Sequence, residues 1–124
     1  WFAASVPSDP NYQSDSRFLA VIDPILLVTT DYVPDEYLTL LKARGQTRRV
    51  DVLGRQILEQ VVCRIEWVEP NDVYKAWTTF DSYRDKGWSF TDCVSCAVME
   101  RLQIAEAFAF DQHFREFGNV TVAP

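Results

Sequence analysis

Between Leu26 and Val122 the chain alternates short apolar runs with longer stretches of helical periodicity, and no two consecutive runs are joined by a tight hairpin. Strands connected in this way pair through crossovers, so the pattern predicts an α/β fold with a parallel or mostly parallel sheet and helices on both faces. The runs are residues 26–30, 64–68, 105–110 and 120–122. The first is apolar and β-branched between breakers, and the second alternates at period two. In open sheets of this kind ligands sit beyond the carboxyl ends of the strands. That rule decides which side chains to weigh for chemistry.

The helical stretches have local punctuation. Ser8-Asp9-Pro10-Asn11 is a turn leading into a helix of about ten residues, closed at Asp23-Pro24 because a residue before proline is pushed out of the α region. Over residues 31–44, Val33, Tyr37, Leu40 and Leu41 recur at steps of three and four, and Gly45 supplies the stop. A second helix places Val50, Leu53, Ile57 and Val61 on one face. Glu69-Pro70-Asn71-Asp72 starts another, with Val73, Ala76, Trp77, Phe80 and Tyr83 on its apolar stripe and an end near Lys86-Gly87. Ser89 opens the next helix. Residues 111–117 read as a short one stopped by Gly118.

A chain of 124 residues that is 48% hydrophobic predicts one domain over residues 1–124. Its apolar runs fall well short of the roughly 18–20 residues a membrane span needs, and no signal-peptide pattern opens it, so a soluble protein without a membrane partner is expected. Three cysteines do not make a disulfide framework at this size, and reduced thiols in the cytoplasm are the expectation. A formal net charge of −6 argues against an overall basic nucleic-acid binder. It leaves room for a nuclease whose carboxylates hold cations, because bound metal inverts the local charge.

The strand-end rule singles out three acidic residues. Glu36 follows the run ending at Thr30 by about one and a half helical turns, Asp111 directly follows Phe110, and Asp92 lies in the first turn of the helix after Ser89. Three carboxylates on one rim would raise one another's pKa unless hard divalent ions such as Mg²⁺ or Mn²⁺ neutralised them. Each has a structural reading beside this one. Ser89-Phe90-Thr91-Asp92 resembles a capping box, Glu36 near Pro34 suits a helix start, and Asp111 suits an N-cap.

Three blocks carry a resemblance: residues 30–41 (TDYVPDEYLTLL), residues 86–93 (KGWSFTDC) and residues 108–114 (FAFDQHF). With them the chain resembles, over essentially its whole length, the PIN-domain family and in particular the VapC-type toxin ribonucleases of toxin–antitoxin pairs. The resemblance implies a three-layer α/β/α fold and a Mg²⁺- or Mn²⁺-dependent endoribonuclease leaving a 5′-phosphate and a 3′-hydroxyl. It assigns Glu36, Asp92 and Asp111 as metal ligands and catalytic residues. Its implied partners are RNA, a cognate antitoxin and a second copy of the chain. The family pattern also has an Asp at the end of a central first strand, just before a segment like residues 1–4. That strand is expected ahead of Trp1, and a polypeptide starting at Trp1 is expected to show weak or absent catalysis and, with two sheet edges exposed, poor stability.

Other residues have two readings. Thr91 suits phosphate or water positioning beside Asp92, or a helix-end hydrogen bond. Arg48 and Arg49, in the basic cluster with Lys42 and Arg44, suit RNA phosphate or a solvated loop. Trp88 and Phe90 suit base stacking, or core or dimer packing. A single histidine, His113, disfavours a metal-free two-histidine ribonuclease. Two other functions compete. One is a catalytically inactive PIN-like interaction module. The other is a zinc or thiol-redox protein built on Cys93 and Cys96 with either Cys63 or His113 as a further ligand, for which one unmatched Cys-x-x-Cys is a weak signal. Cys93 and Cys96 fit better as small core-filling groups on a helix buried on most faces.

Overall fold

A computed structural model describes residues 2–109, 113–118 and 120–123. They fall into two compact units, Trp1–Glu66 and Trp67–Pro124.

In the first unit, a short helix α1 (Phe2–Ser5) precedes α2 (Tyr12–Val21). Asp9 makes the turn between them by accepting from the Asn11 N–H at 2.9 Å. After α2 the Asp23 carboxylate accepts from the Ile25 N–H at 3.0 Å and caps a single 3₁₀ turn, Pro24–Leu26. That local bond takes Leu26 out of the predicted strand, and β1 is Val28–Thr30. It pairs in parallel with β2 (Arg64–Glu66), Thr29 opposite Ile65.

The crossover between the two strands is a pair of helices, α3 (Tyr32–Ala43) and α4 (Thr47–Leu58). Gly45, at φ +70°, makes the turn between them in a region where a side chain would be strained. Leu41 and Ile57 lie in the core, 0% and 1% exposed, with Val6, Tyr37, Cys63 and Ile65 around them. Val61 was expected on the same face as Ile57 but is 57% exposed. The helix stops at Leu58, and Gln60 takes a positive φ, so Val61 no longer follows the helical phase.

In the second unit, α5 (Pro70–Ser82) packs against α6 (Phe90–Leu102). After α6, Gln103 turns the chain in the left-handed region, and β3 (Glu106–Phe108) follows. A short helix α7 (His113–Glu116) leads to β4 (Thr121–Ala123). The strands β3 and β4 pair in parallel, Ala107 opposite Val122. Ala76, Cys93, Val94, Ala97 and Val98 are all buried. The aromatic stripe predicted for α5 is not its buried face: Trp77, Phe80 and Tyr83 remain 56%, 38% and 49% exposed. The seam toward the interior instead runs through Asp72 and Ala76, four residues apart, where small or hydrogen-bonded side chains let the backbones approach.

Parallel pairing is therefore present in both units, among the described residues as two two-stranded sheets of three-residue strands. Among the described residues no helix is long and apolar enough to cross a membrane.

Candidate functional site

Asp92 stands in the first turn of α6, where two local hydrogen bonds hold it. The Ser89 N–H donates to Asp92 Oδ2 at 2.9 Å, and the Asp92 N–H donates to Ser89 Oγ at 3.0 Å. This is a complete capping box, so the structural role foreseen for Asp92 is real. Capping also fixes the carboxylate's orientation on a half-buried turn, beside half-buried Thr91. The helix behind it is anchored by Cys93, Val94, Ala97 and Val98, each at most 5% exposed.

Glu36 belongs to the other unit. It lies on α3 shortly after the carboxyl end of β1, in the predicted position, and is exposed. Its helix is anchored by Tyr37 and Leu41, and the Tyr37 hydroxyl donates to Ser5 Oγ at 2.9 Å. Burial pushes the Tyr37 hydroxyl above its ordinary value, opposed by the Ser5 hydrogen bond and the Arg49 charge. At the end of β1, Thr30 is 5% exposed and its hydroxyl has no hydrogen-bond partner among the described residues. An unpaired buried hydroxyl costs about 1–3 kcal/mol, which marks this strand end as a place suited to a further polar group.

Asp111 lies outside the described residues. Among those described, no three His, Cys, Asp or Glu side chains gather as a metal centre. Glu36 and Asp92 stand in different units, and each offers carboxylate oxygens, the hard donors that Mg²⁺ and Mn²⁺ prefer.

Arg48 and Arg49 are in the first turn of α4, not in a loop. Positive side chains at a helix N-terminus oppose the helix dipole, so local helix energetics do not explain them. They line a mostly apolar cavity of about 550 Å³ with Leu19, Leu27, Leu53 and Ile57.

All three cysteines are free. Burial raises the Cys63 and Cys93 thiols, and Cys96 is pushed up to about 12 by burial first and then by Cys93 and Asp92. Thiols held protonated in this way are poor nucleophiles, which agrees with the core-filling reading.

Sequence reasoning missed the strongest polar contact of the second unit. Asp72 is 2% exposed and accepts from Arg101 Nε and Nη2, both within about 3.1 Å, and from the Glu69 N–H at 2.9 Å. Burial alone would raise its pKa. The Arg101 and Glu69 hydrogen bonds and the Arg101 and Lys75 charges outweigh that and hold the carboxyl below its ordinary value. The capping position of Asp72 was legible in Glu69-Pro70-Asn71-Asp72, but nothing local points to Arg101 near the far end of the next helix.

No family model matches the chain. The 23S rRNA-specific endonuclease VapC20 of Mycobacterium tuberculosis, from strains CDC 1551 / Oshkosh and ATCC 25618 / H37Rv, is 32% identical over all 124 residues, which cover 93% of that protein. The crystal structure of Mycobacterium tuberculosis VapC20, described as a sarcin–ricin loop cleaving toxin, superposes with a TM-score of 0.89 at 31% identity, covering 100% of this chain and 94% of the other. This coverage lends no support to the expected strand ahead of Trp1, which lies outside the described residues. Identity above 30% along the whole chain, with the fold shared at that TM-score, places the chain in the family of VapC toxins of PIN-domain type.

Proposed function

We propose that the chain is a metal-dependent endoribonuclease, the toxin of a toxin–antitoxin pair, acting in the cytoplasm on ribosomal RNA of the sarcin–ricin loop type. The observation that carries this reading is the whole-chain similarity to a toxin that cleaves that loop. Glu36, Asp92 and Asp111 are the proposed ligands of Mg²⁺ or Mn²⁺, on the strength of the three sequence blocks in which they stand. When bound, such an ion neutralises charge on the scissile phosphate and makes a bound water more acidic. The chain's own part is positional. The Ser89 N–H holds one oxygen of Asp92, so that carboxylate needs no reordering when substrate arrives. Thr91, next to it, is assigned to phosphate or water contact.

The proposed protein partners are an antitoxin and a second copy of the chain. The apolar cavity beside Arg48 and Arg49 supports a protein partner with apolar side chains and acidic neighbours. It makes RNA phosphate the less favoured role for these two arginines.

The capping box favours a second reading, in which Asp92 is structural and the chain an inactive interaction module. Asp92→Asn separates the two, because an asparagine oxygen can still accept from the Ser89 N–H while the charge is lost. On the nuclease reading, the variant keeps its melting temperature within a degree or two and loses Mg²⁺- or Mn²⁺-dependent cleavage of a sarcin–ricin hairpin RNA. Unchanged turnover would count against Asp92 as a catalytic residue.

A further inference from the structure

Directly ahead of Ser89, the chain folds round a cavity of about 330 Å³ lined by Phe80, Tyr83, Arg84, Lys86, Gly87 and Trp88. Trp88 is a fixed wall. It is 8% exposed, and its ring packs on Tyr83 at a centroid distance of 5.0 Å and on Phe117 at 4.1 Å. Its indole N–H is buried with no acceptor among the described residues.

Phe80 and Tyr83 are not buried in this way, at 38% and 49% exposed. Phe80 is steadied by an edge-on contact with Phe90, centroids 5.7 Å apart. The cavity's cations are oriented rather than loose. Arg84 is hydrogen-bonded to Asp81, and Lys86 lies 3.6 Å from Glu116. The Arg84 side chain is still 80% exposed, and a guanidinium has more donors than one carboxylate uses.

We propose that this cavity receives one unpaired base of the RNA substrate, with Arg84 and Lys86 on the adjoining phosphates; this rests on the ribonuclease reading above. Flat aromatic walls beside cations are what single-stranded nucleic acid requires, because every base has a face to stack and every linkage a charge. The cavity is of a size to admit one planar ring. Chain continuity adds a functional reason. Gly87 and Trp88 run straight into Ser89, the cap that holds Asp92, so a base bound here is tied to the helix end assigned to the chemistry.

The test is a fluorescence-anisotropy titration of a labelled sarcin–ricin hairpin RNA with the full chain in EDTA, with cleavage in Mg²⁺ measured in parallel. Tyr83→Ala weakens binding about tenfold, as expected for one stacked base, and Tyr83→Phe restores it. The exposed pair Arg84→Gln with Lys86→Gln does not depend on core packing, so it keeps the proposal testable if Tyr83→Ala misfolds. It lowers the salt slope of binding by about 1.4, the value for two contacts on a single strand. Wild-type affinity and slope in both variants, with wild-type cleavage intact, overturn the base site and leave the ribonuclease reading standing. The same holds if sedimentation shows that the variants lose self-association while affinity per protomer is unchanged, which makes the cavity an interface between copies. Absence of any RNA binding or cleavage by the wild type overturns both.

Discussion

Residues 1–66 and residues 67–124 each close one two-stranded parallel sheet with a helical crossover, yet they bury different things. The first unit centres on Leu41 and Ile57, with a large apolar cavity beside them. The second centres on small side chains, Ala76, Val94 and Ala97, and on the Asp72–Arg101 pair that ties the start of α5 to the end of α6. The helix pair α3–α4 is therefore held by apolar area, whereas the helix pair α5–α6 is held by small buried side chains and by a buried carboxylate hydrogen-bonded to a partly exposed guanidinium. The two kinds of support differ in how they fail. Removing apolar area costs in proportion to the gap left behind, whereas removing one partner of a buried pair leaves a charge with nowhere to go.

The largest effect is expected at Leu41. Truncation to alanine at a site 0% exposed should cost about 3–4 kcal/mol, read from urea denaturation. The same experiment probes the proposal of a single domain. Units of this size with three-residue strands bury too little to be stable alone, so one cooperative transition is expected across the chain. Two transitions, with amide protection surviving in residues 67–124, would make the comparison one between independent domains.

Arg101→Met comes next. It should cost about 3 kcal/mol at neutral pH by stranding the Asp72 carboxylate. Changing Asp72 to Asn in the same chain should recover much of the loss, which a simple packing role for Arg101 would not allow.

The smallest effect is the pH response, and its sign is opposite in the two units. Asp72 has a folded pKa below the ordinary 3.8, so its contribution to stability is present above that value and is lost as pH falls through the depressed folded value. Asp15, 1% exposed in the first unit, is raised by burial, with Asp9 adding to the rise and its Ser14 hydrogen bond opposing it. Its contribution is fully present below the unfolded value and is lost as pH rises through the raised folded one. Hydrogen exchange followed from pH 6 toward pH 3 should therefore show the neighbourhood of Asp72 loosening while that of Asp15 holds or tightens. A parallel decline at both sites would remove the electrostatic half of the comparison.

Much of the local organisation was legible. The breaks at Asp23-Pro24, Gly45 and Gly118 and the cap at Ser89 are short-range signals, and the helices start and stop within a few residues of them. Three of the four strands were read too long: the run at 26–30 overshoots the ladder at its start, 64–68 at its end and 105–110 at both, while the last was read at its observed length but one residue early. The acidic positions at Glu36 and Asp92 were also legible, because each follows from counting residues after a strand or a cap. Errors concentrated where burial depends on a distant partner. Trp77 and Tyr83 have the periodicity of a core stripe and are substantially exposed, while Asp72 has the polarity of a surface residue and is buried.

The sequence by itself determined the order of elements, the parallel connection and the residues offered for metal-assisted chemistry, because turns, caps and periodicity act over a few residues. Only the tertiary structure decided that Arg101 covers Asp72, that Arg48 and Arg49 border an apolar cavity, and that Trp88 is walled in while Tyr83 is open. These are contacts between segments far apart along the chain. Their energy depends on which groups lose water together, a quantity that no short window of residues contains.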